Sequence, residues 1–178
     1  VAITVITGPM GSGKTTLMTA VGVLAHELDG VRIFCNYRLT GIEHTFFRPT
    51  EFADLMEAEE LNNCIVLLDE AYLLMDSRTS GARINRLFSA FTYQARKRGV
   101  DLLVVTHHTD HIDKRIRRAM SYRWRPRFNP TTHVITVYSK AEEVGHRSRF
   151  KIQADKFWPY FDTNEIPIIS KQLKRVVF

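Results

Sequence analysis

Two short stretches carry residues whose types and spacing suit phosphate and metal chemistry. Gly8-Pro9-Met10-Gly11-Ser12-Gly13-Lys14-Thr15 fits the pattern G-x-x-x-x-G-K-S/T. Its glycines let backbone N–H groups wrap a phosphate chain, and a helix starting at its end adds favourable partial charge. In this reading Gly8, Pro9, Met10, Gly11, Ser12, Gly13, Lys14, Thr15 and Thr16 bind ATP. Lys14 holds the beta and gamma phosphates and the Thr15 hydroxyl ligates Mg2+. The second stretch, Ile65-Val66-Leu67-Leu68-Asp69-Glu70, ends an apolar run in two acids. Asp69 is the expected metal partner and Glu70 the general base for an attacking water. Neighbouring residues of a strand point to opposite faces, so the chain must turn here if both acids are to serve one centre.

Those groups meet only if strands and helices converge on them. Residues 2–7 alternate and are rich in Val, Ile and Thr, which predicts a strand; residues 15–28 have helical periodicity. Further strands are expected over 31–37, 63–69 and 100–106, and helices over 51–59, 83–98 and about 110–120. Apolar strands separated by helices imply a mainly parallel sheet covered on both faces, an α/β fold. Residues 121–128 and 133–139, joined by Asn129-Pro130-Thr131-Thr132, read as an antiparallel hairpin on the sheet edge.

The length of 178 residues and a hydrophobic share of 44% suit one domain over 1–178, with a core of 1–165 and an aromatic and basic tail of 157–178. No run approaches the roughly 18 apolar residues of a spanning helix. The expectation is a soluble, cytoplasmic chain that meets a membrane only through a partner or a further segment. Cys35 and Cys64 sit inside apolar runs and read as reduced core thiols. Charge is divided unevenly. Residues 1–90 carry 7 Lys and Arg against 11 Asp and Glu, whereas residues 91–178 carry 18 against 8. Within the basic half, Lys114 to Arg127 holds seven cations, no acid, and Tyr122 and Trp124 interleaved. Such a run suits phosphate neutralisation with aromatic stacking, or a solvated face. Phe157 to Phe161 reads first as a segment packed on the sheet and second as a base-stacking platform.

The strand over 100–106 is bracketed by groups that resist burial. His107 at its C-terminal end is placed to approach the water near the gamma phosphate, as a polar sensor. Arg96 and Arg98 precede it and lie at the opposite end of the sheet. A guanidinium that cannot reach its own nucleotide can serve a neighbour's as an arginine finger. Arg96 is the assigned finger, with Arg78 and Arg98 as alternatives; a helix C-terminus also favours basic residues through its dipole alone.

The segment Arg96-Lys97-Arg98-Gly99-Val100-Asp101-Leu102, following Asp69-Glu70-Ala71, resembles the FtsK/HerA superfamily of P-loop pumping ATPases. It is most similar to the zonula occludens toxin-like (Zot-like) branch, which includes filamentous phage assembly ATPases and is related to viral genome-packaging ATPases. Thr7 to Thr15, Cys35-Asn36-Tyr37, Arg78, Ile112 to Arg117 and Tyr160-Phe161-Asp162-Thr163 add to the resemblance. It implies a RecA-like fold and Mg2+-dependent ATP hydrolysis that drives translocation of viral double-stranded DNA by a homo-oligomeric ring. It also implies viral structural proteins as partners, in the host cytoplasm or on the virion. The alternatives are a virion assembly or extrusion ATPase acting on proteins at a membrane and, further off, a small-molecule kinase, which the second acid Glu70 argues against. Where the superfamily usually has Gln, this chain has His107, a group whose charge can change near neutral pH.

Overall fold

In a computed structural model, which describes residues 1–48, 51–70, 90, 91, 94–108 and 114–162, the apolar runs become the centre of a sheet. Val5, Ile6, Val66, Leu67, Leu68, Leu102, Val104 and Val105 have no exposed surface. Both faces of these strands are shut off from water, which is why their sequences are continuously apolar. In chain order the elements are β1 (Ile3–Thr7), α1 (Lys14–Asp29), β2 (Arg32–Cys35), β3 (Thr45–Phe46), α2 (Phe52–Glu57) and β4 (Cys64–Leu68). Then come β5 (Val100–Thr106), α3 (Lys114–Ala119), β6 (Tyr122–Asn129), β7 (Val134–Ala141) and β8 (Arg147–Gln153). Two single turns of 3-10 helix, Ala154–Lys156 and Trp158–Tyr160, follow.

The strands form one sheet in the order β3-β2-β4-β5-β1-β6-β7-β8. The pairs from β3 to β6 are parallel; β6 with β7 and β7 with β8 are antiparallel. The expected hairpin is present, its first strand lying parallel to β1. The edge itself is taken by β8, on which the sequence reading placed no strand. β5 lies beside β4 and separates it from β1, so the two motif strands are not direct neighbours.

One apolar layer packs each face. On one side Leu17 and Met18 of α1 meet Ile6, Leu67, Leu103, Val105, Ile135, Val137 and Phe161. On the other, Phe52, Met56, Leu61, Phe91 and Ala95 cover Val66, Leu102 and Val104. Each fully buried Leu or Phe contributes about 1.5–3 kcal/mol. Residues 94–98 are helical and end at Gly99, whose φ of 68° is the left-handed value that terminates helices. A Cβ at Gly99 would be strained at this φ and would have to displace the Asn63 amide.

Of the helix expected over 83–98, residues 90, 91 and 94–98 are described as helical; of that over 110–120, the structure describes α3. Residues 163–178 of the tail, Arg78, Arg83, Arg86 and residues 109–113 lie outside the described set. Cys35 and Cys64 are buried free thiols at opposite ends of the β2–β4 ladder. Burial pushes the Cys64 thiol up to about 11. Among the described residues no helix is long and apolar enough to cross a membrane.

Candidate active site

The loop after β1 is shaped by backbone that glycine favours. Gly11 and Gly13 have φ of 74° and 86°. A Cβ at Gly13 would also approach Ile135 Cδ1 to 2.6 Å, because the loop rests on the apolar face of the hairpin. Gly13 caps α1 without any side-chain bond, and the first turn carries no acid. The helix therefore presents unpaired N–H groups and the positive end of its dipole to the loop, the arrangement that receives an anion. Lys14 is 7% exposed, and its Nζ donates to the Pro9 carbonyl at 2.9 Å. Burial holds its ammonium below the usual lysine range, against the opposing pull of Glu70 and Asp69. Ser12 Oγ is buried with no hydrogen-bond partner.

The two acids reach the same place from β4. Asp69 Oδ2 accepts the Thr15 hydroxyl at 2.8 Å, and Asp69 Oδ1 accepts the Glu70 N–H at 2.9 Å. Burial pushes the Asp69 carboxyl above the usual range, Thr15 acting against that shift. Glu70 adopts φ of 50°, a left-handed value rare outside glycine, and this is the turn that brings both acids to one centre. Glu70 Oε1 lies 3.3 Å from His107 Nε2 at the end of β5, while Glu70 Oε2 is buried without a partner. One carboxylate oxygen is thus held and the other is open to accept a proton.

Asn36, named above only for the resemblance, fixes this corner. Its Nδ2 donates to the Asp69 carbonyl, and its Oδ1 accepts the Asp69 N–H, both at 2.8 Å. The β2–β4 ladder runs out at Asn36, whose N–H donates to the Leu67 carbonyl at 3.4 Å, and its side-chain amide continues the pairing to Asp69. A polar residue directly after an apolar strand was the one available signal in the sequence.

These groups line a cleft of about 710 Å3 with Met10, Thr16, Tyr37, Phe46, Phe128, Trp158, Phe161 and Asp162. The aromatic tail segment divides between the core and the cleft. Phe161 is buried in the core beside Tyr37, whereas Trp158, 38% exposed, stands in the cleft wall with its ring 6.4 Å from that of Phe128. Such a wall suits the flat face of a base.

Lys14, Thr15, Asp69, Glu70 and His107 come together; Arg96 does not join them. It is exposed on the helical residues 94–98, at the opposite end of β5, as the sequence order requires. Arg98 is committed elsewhere, donating to the Met56 and Ala58 carbonyls at the end of α2. Trp124 does not interleave with the arginines of β6. It turns inward and packs edge-on against Phe150, 5.3 Å away. Among the described residues no cluster of His, Cys, Asp and Glu forms a metal site of its own; Asp110, His111 and Asp113 fall outside them.

A family model described as "ATPase family associated with various cellular activities (AAA)" matches residues 4–127. No curated protein sequence matches the chain. Among solved structures, the N-terminal domain of zonular occludens toxin from Neisseria meningitidis superposes with a TM-score of 0.66 at 18% identity, covering 91% of this chain and 99% of that one. The genome packaging NTPase B204 from Sulfolobus turreted icosahedral virus 2, in complex with ATP-gammaS, gives 0.61 at 11% identity, covering 85% and 98%. The RadB recombinase gives 0.60 at 16% identity, covering 85% and 87%.

Proposed function

As the chain belongs to the ATPase family associated with various cellular activities (AAA) and is a P-loop ATPase that binds ATP, we propose that it hydrolyses ATP with Mg2+ at this cleft and uses the cycle to move viral double-stranded DNA as a homo-oligomeric ring. The observation that carries the hydrolytic reading is Glu70, held at Oε1 beside His107 and unpaired at Oε2, next to the Thr15–Asp69 pair. In this reading Lys14 leaves the Pro9 carbonyl for the phosphates, the loop N–H groups orient them, and Glu70 Oε2 takes the proton of the attacking water. A hydroxyl and a carboxylate in contact are the hard oxygen donors that Mg2+ takes, so Thr15 and Asp69 fit that ion. When bound, it neutralises charge on the phosphates. Trp158 and Phe128 would stack on the base.

Movement of DNA is supported by the basic second half of the chain and by likeness of fold to B204, a genome packaging NTPase. The ring is supported by Arg96, which is exposed and remote from its own cleft, where a neighbouring subunit's nucleotide could meet it. A second reading, virion assembly on viral structural proteins at a membrane, rests on the likeness to the toxin domain. The deciding measurement is ATPase rate per subunit against protein concentration, with and without duplex DNA. A rate that rises with concentration and rises again with DNA is expected. A flat rate indifferent to DNA overturns the shared site and the DNA motor, and favours a protein substrate. Lys14→Ala and Glu70→Gln should each lower turnover by at least about 100-fold; intact turnover in either would remove the site assignment.

A further inference from the structure

The antiparallel extension has two unlike faces, and the outer one is built of cations. Register places Arg123, Lys140 and Arg147 in one cross-strand row and Arg125, Tyr138 and Arg149 in the next. The third row is Arg127, Thr136 and Lys151. Alternate residues of a strand share a face, so all three rows point the same way. The residues between them, among them Pro126, Ile135, Val137 and Ile152, turn toward the apolar layer beneath α1. The outer face bears seven cations and a groove of about 510 Å3 along the arginines of β6.

One acid answers them. Glu142 pairs with Lys140 at 2.7 Å and Arg123 at 2.8 Å, and the Lys140 hydrogen bond leads the causes that hold its carboxyl below the usual range. Arg125, Arg127, Arg147, Arg149 and Lys151 are exposed and form no ion pair among the described residues. Like charges on adjacent strands repel, so a face of this kind is stabilised by an external anion. Four of the five unpaired cations are arginines, whose planar fork takes phosphate oxygens two at a time.

The same face excludes other polyanion surfaces. Tyr138 is its one exposed aromatic, and the Arg127 guanidinium lies over that ring at 5.2 Å. Unstacked bases therefore find no open platform, and a lipid surface finds no apolar side chain to insert on the rows themselves; Val144, 75% exposed, lies beyond them in the turn after β7. The rows span roughly 14 Å along the strands and 10 Å across them. A duplex presents about eight phosphates over that length, about half of them on the near side. Five unpaired cations therefore face about four phosphates.

We infer that the outer face of β6, β7 and β8 is the docking surface for the phosphate backbone of duplex DNA. The inference rests on the DNA-motor reading and assigns its contact to a particular sheet face. Its test is anisotropy of a short labelled duplex with the full chain between about 50 and 200 mM salt. The comparison is between the unaltered protein and Arg147→Ala/Arg149→Ala/Lys151→Ala, three exposed changes on β8, remote from the cleft. At about 0.9 per phosphate contact, the slope of log K against log salt should fall by roughly 3 and Kd should rise at least tenfold. ATPase without DNA should stay within about twofold and Arg48→Ala/Lys156→Ala should bind normally, since a local effect predicts both. If the triple variant binds DNA as the parent does, the surface is wrong and the motor reading stands. If the parent itself fails to bind duplex at low salt, that reading falls and this one with it. Binding to phosphatidylglycerol vesicles but not to duplex, lost in the triple variant, would overturn the assignment in favour of a membrane.

Discussion

Replacing Asn36 with Ala separates the positioning of the two acids from their chemistry. The substitution removes the donor to the Asp69 carbonyl and the acceptor of the Asp69 N–H, at a position 7% exposed. Each lost bond is worth about 0.5–1.5 kcal/mol net, and a buried backbone group left unpaired costs about 1–3 kcal/mol. With water entering the cleft to answer one of the two groups, the loss should come to about 2–3 kcal/mol. For a chain of this size that is a fall in Tm of roughly 4–12 °C. Because Asp69 and Glu70 are adjacent, loosening the first moves the second. Turnover should drop about 10- to 100-fold, the cost usual for removing the group that orients a ligand. KM for ATP should change less, since the phosphate loop is untouched. Scanning fluorimetry and steady-state ATPase assays on the same preparation give both numbers. A lower Tm with unchanged kcat would make Asn36 a strand terminator and nothing more. An unchanged Tm would mean that the paired amide bonds carry no net energy.

Asp69→Asn should abolish turnover yet stabilise the protein near neutral pH. Burial raises the folded carboxyl above its unfolded value, so the stability it contributes is complete at acidic pH and is lost as pH rises through the folded value. The Tm gap between variant and parent should therefore widen from acidic to neutral pH, and a gap that narrows would reverse the assigned sign. Mixing inactive Arg96→Ala subunits with inactive Glu70→Gln subunits should restore part of the activity, because some interfaces then pair an intact finger with an intact base; no recovery would count against a shared site. Trp158→Ala should raise KM for ATP roughly tenfold with kcat nearly kept, as loss of one base stack predicts. An unchanged KM would leave the ring as cleft wall only.

The parts of the fold readable in sequence were those where one physical demand dominates. β1, β4 and β5 lie in the covered centre of the sheet and so are continuously apolar, and the loop between β1 and α1 needs glycine at fixed places. β8 escaped because Arg147, Ser148, Arg149 and Lys151 are all exposed, leaving Phe150 and Ile152 as a faint alternation. β3 is two residues long, too short for any period. The role of Asn36 depends on the β2–β4 ladder running out just after its N–H bond to Leu67, a fact of register rather than composition. Trp124 misled for a related reason: in Tyr122 to Phe128 aromatics among arginines are also what a two-faced strand looks like, with the cations outward and Trp124 and Phe128 against the core, while Tyr122 stays exposed. The placement of Arg96 away from its own cleft followed from chain direction alone. Nothing in the sequence signals that Arg98 is committed to the carbonyls of Met56 and Ala58, a long-range contact.

The seating of Gly13 against Ile135 also has a mechanical consequence. The ribbon that supports the phosphate loop on its inner side carries the cationic rows on its outer side, and Arg125 and Arg127 of those rows line one cavity with Gly8 to Ser12 of the loop. β6 is joined to β1 through the register Thr4 with Tyr122, Val5 with Arg123 and Ile6 with Trp124. A pull along the strands loads those bonds in shear, the direction in which a ladder is stiff. Tension on a polymer gripped outside would reach the nucleotide grip with little loss, and a relaxing loop would slacken the ribbon in return.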